Sequence, residues 1–431
     1  MILNKINKRN LFLICIFSFF VNLLTIYGQV LSDLHLKNIS EIGARLEKEG
    51  FQNISISKLE ENYIIGYENN VYRFDALALK KVIDLSLDIT KNSIEEITFI
   101  TTKNRVPIIS TQVNLSDYKG HKSGLNYIQT FPKNISINQN VDLYKKGKAI
   151  LKKKNPSGYR IELVLRPHFS VELGNLVKED QFIHLIDLRP KFNFFLWKGA
   201  HFTYEFILPI SNEFKETAPQ WGEIRPRVIS LSQEIRLPKN TFLNASLGLF
   251  SRDRYGGTAA IGKYFWKGRI LATARIGYTG HASFVRFDGL FNKINKGWLY
   301  TDMDYLDYAL SIRTWWPSKN MQLAITYGKV LNNRKQIRVD VRQKFKEIDL
   351  GLFSFRTEEG FNYGMQIGVP LFPQKYWKPK RISIRPSRAF RYEYLSGNIL
   401  ARSYQAQGID EDFPQNLQPD FLKFQLLGGA F

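Results

Sequence analysis

Apolar and charged residues alternate one by one through QIRVDVRQKFKEIDLGLFSF, residues 336–355. Side chains of an extended strand point to opposite faces with a period of two, so this stretch predicts a strand with one apolar and one charged face. A helix, with its repeat of about 3.6 residues, does not separate side chains in this way. The two faces hold Ile337, Val339 and Val341 on one side and Arg338, Asp340 and Arg342 on the other.

The same pattern recurs through residues 157–431 in about 12–14 runs, which are separated by turn signals such as DRYGG, FWKGR and TEEGFN. Two architectures fit it. A soluble sandwich buries the apolar face, whereas a membrane barrel turns that face to lipid and lines its interior with charges. The charged second face favours the barrel, and so does a C-terminal stretch, FLKFQLLGGAF, that ends on Phe431. We therefore predict a mainly β chain with a single antiparallel transmembrane β-barrel of about 12–14 strands over residues 157–431.

The N-terminus has the layout of a secretory signal peptide. Lys5, Lys8 and Arg9 precede the apolar run LFLICIFSFFVNLLTI, and Gly28 offers a cleavage site. No later segment approaches the roughly 18 consecutive apolar residues of a transmembrane helix. This leader, residues 1–28, contains the single cysteine, Cys15, so the exported chain would have neither a disulfide nor a cysteine metal site. We expect an outer-membrane protein whose N-terminal domain lies in the periplasm.

Residues 29–117 predict a small α/β domain. Helical patterns in NISEIGARLEKEG and DALALKKVIDLSLDI alternate with two pairs of short strands, in the order α-β-β-α-β-β. Residues 118–156 contain the basic run KKGKAILKKKNPSG and predict a solvated basic linker. Contact between these lysines and lipid phosphates is the alternative interpretation.

The charge balance points to anionic partners. The leader holds three of the 61 Lys and Arg residues, which leaves 58 basic against 39 acidic residues, a net charge of +19. In an exported chain, outer-membrane lipid, lipopolysaccharide or an acidic polysaccharide is a better candidate than nucleic acid. The strand pattern directs five arginines to the barrel interior as candidate contacts for an acidic polymer: Arg160, Arg166, Arg275, Arg338 and Arg342.

Motifs that carry chemistry are weak. GTAAIGK, residues 257–263, resembles part of a phosphate-binding loop, but Tyr264 replaces the required Ser or Thr and strands flank it. Neither HExxH nor GxSxG occurs, and the six histidines are scattered. Asp302 and Asp304 would share a strand face, which we interpret as a polar lumen patch. We expect no enzymatic activity, no catalytic or metal site and no cofactor.

Several short strings resemble the YjbH-like family of outer-membrane proteins linked to exopolysaccharide and capsule production in Gram-negative bacteria. GYENNVYRF looks like the family's stretch before a helix, GLFSRDRYGG like a strand and turn, and YTGHASF like its Thr-Gly-His element. NYGMQIGVPL and FRYEYLSG resemble a late strand and the segment after it. The matching positions are Tyr67, Glu68, Asn69, Tyr72, Arg73, Tyr255, Gly256, Gly257, Thr279, Gly280 and His281.

The resemblance implies a non-enzymatic outer-membrane protein that assists export or assembly of a surface polysaccharide, together with other polysaccharide-export proteins. Larger family members carry a second barrel, for which this chain has no room. From the residues themselves we interpret Gly256 and Gly257 as a tight turn, and Thr279 to His281 as the end of a strand. A general porin or solute channel and a barrel enzyme that acts on lipid or lipopolysaccharide remain alternatives, and a soluble secreted sandwich is the weakest one.

Overall fold

The computed structural model describes residues 37–59, 62–87, 96–115, 118, 135–173, 182–213, 222–288, 294–330, 334–345, 347–396 and 422. The predicted leader, and all but one residue of the C-terminal stretch 421–431, lie outside these described residues. Strands dominate the described chain and form two sheets, one of six strands and one of fifteen. The prediction of a mainly β chain is confirmed.

The six-stranded sheet and its helices come first in the chain. They comprise α1 (residues 37–49), β1 (Gln52–Leu59), β2 (Asn62–Glu68), α2 (Asp75–Leu87), β3 (Glu96–Lys103), β4 (Val106–Asn114), β5 (Ile135–Asn138), α3 (Leu143–Lys146) and β6 (Lys148–Lys154). The strand order is β5-β4-β3-β2-β1-β6. Strands β2 and β3 are parallel, as the α2 crossover between them requires, and the other neighbours are antiparallel. We call residues 37–154 the α/β domain.

The α/β domain has an ordinary apolar core. Helix α2 buries Ala76, Leu79 and Ile83, whose spacing of three and four residues places them on one helical face. Leu46 of α1 and Phe99 of β3 are fully buried in the same cluster. Burial of a Leu or Phe side chain contributes about 1.5–3 kcal/mol. This core therefore accounts for the stability of the domain.

The prediction of a linker over residues 118–156 is wrong for the residues described there. Strand β5 pairs with β4, where Thr111 faces Ile137, and β6 pairs with β1, where Ile56 faces Leu151. Both strands are sheet edges, so the basic run is the edge strand β6 and the short helix α3 before it. Lysines on an edge strand disfavour pairing with a further strand, which gives the run a structural role.

The fifteen-stranded sheet follows. Its strands are β7 (Ile161–Leu173), β8 (Phe182–Phe195), β9 (Ala200–Asn212), β10 (Arg225–Leu237), β11 (Thr241–Phe250), β12 (Arg254–Phe265), β13 (Ile270–Asp288), β14 (Ile294–Tyr300), β15 (Tyr305–Trp316), β16 (Met321–Val330), β17 (Arg334–Phe345), β18 (Ile348–Thr357), β19 (Gly360–Pro370), β20 (Ile382–Pro386) and β21 (Ala389–Leu395). Neighbours from β7 to β19 pair antiparallel in chain order, except that β13 pairs with both β14 and β15. We call residues 161–395 the large sheet.

The two ends of the large sheet approach each other. Strand β20 pairs in parallel with the first half of β7, and β21 pairs with β19 at the opposite end of the strand order. Only Ser387 and Arg388 separate β20 from β21, and the Ser387 N–H donates to the Leu165 carbonyl at 2.9 Å. The rings of Phe169 and Tyr392 lie 6.1 Å apart. Among the described residues no ladder joins β21 to β7, so the sheet is not closed by strand pairing.

Beyond this lack of closure, the large sheet differs from the predicted barrel in two further respects. Its described residues form fifteen strands rather than 12–14, because β14 forms a side hairpin with β13 and the last segment is divided into β20 and β21. The β20–β7 pair is parallel, whereas the prediction was wholly antiparallel. Most strands have ten to fourteen residues, and about 9–11 residues suffice for a tilted transmembrane strand.

The α/β domain sits at the end of the large sheet where the turns are short. The Gly199 N–H in the β8–β9 turn donates to the Asn104 carbonyl at 3.0 Å, and Arg236 at the end of β10 donates to the Ile108 carbonyl at 2.8 Å. Phe242, Tyr264 and Leu271 of the large sheet belong to the same buried cluster as the α/β core. The two sheets are therefore packed together at this end.

Candidate functional site

The large sheet exposes apolar side chains and buries polar ones. Ile337 is 48% exposed on β17, while its neighbour Gln336 is buried. Leu352 is 69% exposed, whereas Asp340, on the other face of the paired strands, is 7% exposed. The same contrast holds across the sheet. Exposed apolar residues include Leu231, Leu247, Ile261, Ile276, Leu310, Ile312, Leu323, Ile325, Leu350, Met365 and Ile367. We call the opposite, polar face the inner wall.

Four of the five arginines that the sequence directs inward are paired with carboxylates. Arg166 Nη1 lies 3.6 Å from Glu205, and Arg275 Nη2 lies 2.9 Å from Asp307. Arg338 Nη2 is 2.8 Å from Asp340 and 3.0 Å from Glu393, and its guanidinium lies 4.2 Å from the centre of the Phe353 ring. Arg160 Nη2 is 3.9 Å from Glu68.

Arg342 occupies the same strand face as Arg338 and Asp340, between Gln322 and Gly351 of the neighbouring strands. Arg166, Arg275, Arg338 and Arg342 thus lie where strand parity predicts, and Arg160 lies immediately before β7 and contacts the α/β domain. However, the inner wall is a network of alternating charges rather than a uniformly positive surface. Their contact with a polymer stays a prediction.

Sequence reasoning placed Asp340 on the charged face but did not pair the arginines with carboxylates. Glu205 also forms an ion pair with Arg227 at 2.9 Å, and Glu162 forms one with Arg385 at 3.0 Å. Asp187 forms an ion pair with Arg189 at 2.6 Å. Each carboxylate stands at an inward position of an alternating run, so strand parity was the signal that could have found it.

A cavity lies where the α/β domain meets the inner wall. Its empty volume is about 580 Å³, part of it open to solvent. The charged residues that line it are Glu68, Asp75, Lys103, Arg160, Glu162, Lys191, Arg385 and Arg388. Basic and acidic groups are mixed here, as they are along the wall. The cavity therefore continues the charge network to the junction of the two sheets.

The motif positions Tyr67 to Arg73 build this junction. Glu68 accepts hydrogen bonds from the backbone N–H groups of Asn104 and Arg105 at 3.2 and 3.1 Å, and from Ser157 Oγ at 3.0 Å. Asn69 Oδ1 accepts from the Tyr72 N–H at 2.9 Å, which shapes the turn before α2. Thr101 Oγ1 donates to the Tyr67 hydroxyl at 2.9 Å, and burial raises the pKa of Tyr67.

Arg73 and Tyr72 connect this turn to the large sheet and the segment that follows β19. The Arg73 guanidinium, which is 1% exposed, donates to the Leu371 carbonyl and pairs with Glu347. Tyr72 and Lys375 both donate to Glu49. Burial acts against ionisation of Glu49, but these two hydrogen bonds hold its pKa below the usual 4.5. The motif is therefore a docking element.

The other motif positions meet on adjacent strands at the opposite end of the sheet. Tyr255 pairs with Gly280, and Gly256 with Thr279. A Cβ on Gly280 would lie 2.5 Å from the Tyr255 ring, so glycine is needed under the aromatic ring. Gly256 has φ +141°.

Two expectations about these motif positions were wrong. Gly256 and Gly257 lie in β12 rather than in a tight turn. Thr279 to His281 do not end a strand either, because β13 continues to Asp288. Instead they mark the point where β13 changes its partner from β15 to β14, since Thr279 pairs with Tyr305 and Ala282 with Tyr300.

The stretch that resembles a phosphate-binding loop forms part of a strand, and the described residues hold no cluster of metal ligands. The stretch 257–263 lies within β12, as expected for a strand rather than a phosphate loop. Across the described ranges, no group of three His, Cys, Asp or Glu side chains could hold a metal ion. Nor does any described helix have the length and apolar character needed to cross a membrane.

Comparisons with known proteins give one match in sequence. The model of the YjbH family, described as exopolysaccharide biosynthesis protein YbjH, matches residues 24–247. This range covers the α/β domain and the large sheet as far as β11, including the Tyr67–Arg73 motif. No curated protein matches the sequence.

Among solved structures, an OmpT loop L8 deletion mutant, an outer-membrane protein of Vibrio cholerae, has a TM-score of 0.27 and 9% identity over 48% of this chain and 85% of that chain. The outer-membrane protein opdK from Pseudomonas aeruginosa has a TM-score of 0.26 and 14% identity over 48% of this chain and 61% of that one. These likenesses are too weak to support an argument about function.

Proposed function

Because the chain belongs to the YjbH family of exopolysaccharide biosynthesis proteins, we propose that it is a non-enzymatic outer-membrane protein that assists export or assembly of a surface polysaccharide. The large sheet closes into a transmembrane barrel in this proposal. The α/β domain lies on the periplasmic side.

The observation that carries the proposal is the inverted distribution of side chains on the large sheet. Soluble proteins rarely expose contiguous apolar patches larger than a few hundred Å². Here the exposed apolar positions run across neighbouring strands, so that Leu310, Tyr327 and Ile337 are linked by register. The face opposite them is charged. Lipid outside and a polar lumen inside satisfy both faces at once.

Closure of the sheet has local support. Strand β20 already pairs with β7, and the following strand β21 brings Tyr392 to within 6.1 Å of Phe169, further along β7. A short shift would complete a parallel ladder between β21 and β7 and remove both sheet edges. An exposed edge inside a bilayer would leave backbone groups without partners, at a cost of several kcal/mol each. Insertion therefore favours the closed state.

The α/β domain favours an assembly or guiding role over a general porin. It covers the short-turn end of the sheet through Arg73, Arg236 and the shared apolar cluster. Short turns face the periplasm in outer-membrane barrels, which supports a periplasmic position for this domain. An acidic polysaccharide that meets the inner wall would contact arginines already oriented by Asp307, Asp340 and Glu393.

The proposal is tested in two steps. Purified protein in detergent should show heat-modifiable migration on a gel, with the folded form running faster. A strain that lacks the protein should lose surface polysaccharide, and Arg275→Gln, Arg338→Gln and Arg342→Gln together should reduce it when cells with equal barrel abundance are compared. Measurable conductance of small solutes in planar bilayers, with unchanged polysaccharide in the deletion strain, would favour a porin instead.

A further inference from the structure

Exposed aromatic side chains collect at the short-turn end of the large sheet. We call the turns at 195–200, 237–241, 265–270 and 316–321, together with the segment 371–381, the short-turn rim. The exposed fractions are 54% for Trp197, 76% for Trp266, 64% for Trp316 and 83% for Trp377. Phe372 is 85% exposed. Indole rings so exposed to water carry an unfavourable contact that a membrane interface removes.

A basic residue accompanies the aromatic group in most of these turns. Lys198 follows Trp197, Lys267 follows Trp266, and Lys378 follows Trp377. Lys319 lies three residues after Trp316, and Lys239 occupies the β10–β11 turn. These lysines are all exposed, as are Lys380 and Arg381. The rim therefore presents positive charges directly beside its aromatic rings.

The backbone of the β12–β13 turn is held in an unusual conformation to present this pair. Trp266 has φ +49° and Lys267 has φ +56°, both in the left-handed region. A bulky residue rarely adopts that region, and the strain is retained where the surroundings or the function require it. Next to it, Lys263 points outward and its Nζ lies 5.2 Å from the centre of the Phe265 ring.

We propose that the short-turn rim binds the phosphate groups of anionic phospholipids in the periplasmic leaflet of the outer membrane. The indole rings lie at the head-group level, and the adjacent lysines reach the phosphates. This inference rests on the proposed membrane insertion and adds the lipid class and the residues. Lysines immediately beside a membrane surface attract anionic lipid, and the attraction decays within about 8 Å at physiological ionic strength.

The opposite edge of the large sheet differs in a way that makes the rim specific. Tyr300, Phe361 and Tyr363 are exposed there at 74%, 60% and 59%, so aromatic groups occur at both edges. Trp298, which is 39% exposed, also lies at this edge, but no lysine follows it directly, whereas Trp197, Trp266 and Trp377 in the short turns each precede a lysine. A phospholipid leaflet, rather than lipopolysaccharide, is the surface that these turns would meet.

Quenching of tryptophan fluorescence by brominated lipid tests the proposal on the full chain. Four of the seven tryptophans lie on the rim. The protein is reconstituted in vesicles that contain equal amounts of phosphatidylcholine and phosphatidylglycerol, with bromine on one lipid or the other. Brominated phosphatidylglycerol should quench at least about twofold more strongly than brominated phosphatidylcholine, and molar salt should abolish the difference.

The test variant removes positive charge from the rim. The matched control removes the same charge from the edge of the α/β domain. Lys239→Gln, Lys267→Gln, Lys319→Gln and Lys378→Gln together should reduce the quenching ratio to about one. Lys145→Gln, Lys146→Gln, Lys148→Gln and Lys152→Gln remove the same charge from α3 and β6 and should leave the ratio unchanged. Both variants should retain heat-modifiable migration, since the lysines are exposed.

The outcomes separate this inference from the proposed function. If the unaltered protein inserts but its quenching ratio is near one, the rim proposal is wrong and the barrel proposal stands. If the quenching ratio falls to about one in the variant of α3 and β6 but not in the rim variant, the lipid contact lies at that edge of the α/β domain. The rim proposal is then wrong. If the unaltered protein does not insert into the vesicles, both proposals fail.

Discussion

The α/β domain and the large sheet obey opposite rules of burial. In the domain, Leu79 and Ile83 are fully buried. In the large sheet, Leu310 and Leu352 are more than half exposed, while Asp307 is almost completely buried. If the large sheet is inserted in a bilayer, as proposed, both regions satisfy the same requirement, that apolar groups avoid water and buried charges have partners. The comparison indicates that the surrounding medium, rather than the residue type, determines which face of a strand is buried.

Truncation of one leucine in each region should give the largest contrast. Leu79→Ala in α2 removes a fully buried side chain and should lower the free energy of unfolding of the α/β domain by about 2–5 kcal/mol. Leu310→Ala, at a position that is 54% exposed, should change the stability in detergent by no more than about 0.5 kcal/mol. Urea unfolding measures the first, and the heat-modifiable shift measures the second. Equal losses would mean that Leu310 is part of a protein core.

A charge placed on the outward face sharpens the comparison within a single strand. Val339 lies near the middle of β17, and Gln343 lies on the same face close to the short-turn rim. Val339→Arg should destabilise the inserted barrel by about 2–4 kcal/mol, whereas Gln343→Arg should cost about 0–1 kcal/mol. Reversible folding into vesicles gives both values. Similar costs at the two depths would contradict a lipid-facing surface.

The junction between the α/β domain and the large sheet provides the third test. Arg73 of the α/β domain is 1% exposed and pairs with Glu347 of the large sheet. A double-mutant cycle with Arg73→Met and Glu347→Gln should yield a coupling of about 0.5–3 kcal/mol for domain docking. Protease cleavage at the junction measures the docked fraction. Additive effects of the two substitutions would show that Arg73 acts through Leu371 alone.

Local sequence rules predicted the faces of the large sheet well. Parity along a strand depends only on neighbouring residues, so Arg275 and Arg338 are placed inward without knowledge of any partner strand. The partners themselves depend on register. The contact of Arg275 with Asp307 requires that β13 pair with β15 across the intervening hairpin strand β14, which no local pattern specifies.

The errors have the same cause. The run KAILKKK looks like a solvated linker because its partner strand β1 lies about one hundred residues earlier in the chain. Arg73 matches a family string, but the docking role could not be read from it, since its partners are 274 and 298 residues away. Fold class and face follow from local periodicity, whereas the junction follows from long-range contacts that the sequence does not display.

The smallest expected effect concerns pH, and it again contrasts the junction with the two sheets that it joins. Glu49 is partly desolvated, but hydrogen bonds from Lys375 and Tyr72 favour its charged form and hold its pKa below 4.5. A carboxyl group whose pKa is lowered on folding contributes stability above the unfolded pKa and loses it as pH falls through the folded pKa. Docking of the α/β domain should therefore be constant well above pH 4.5 and weaken as the pH falls below that value.

Glu49→Gln keeps a hydrogen-bonding group at the site but cannot titrate there, so protease cleavage at the junction should depend less on pH in this variant than in the unaltered protein. Glu41→Gln, on the same helix and paired with exposed Arg45, is the matched control and should leave the acid dependence unchanged. The reverse pattern would remove Glu49 from the docking contact. If neither variant alters the profile, Glu49 does not set the acid sensitivity of docking, which then belongs to other carboxylates such as Glu347 and Asp75, whose partners Arg73 and Arg388 also lie at the junction.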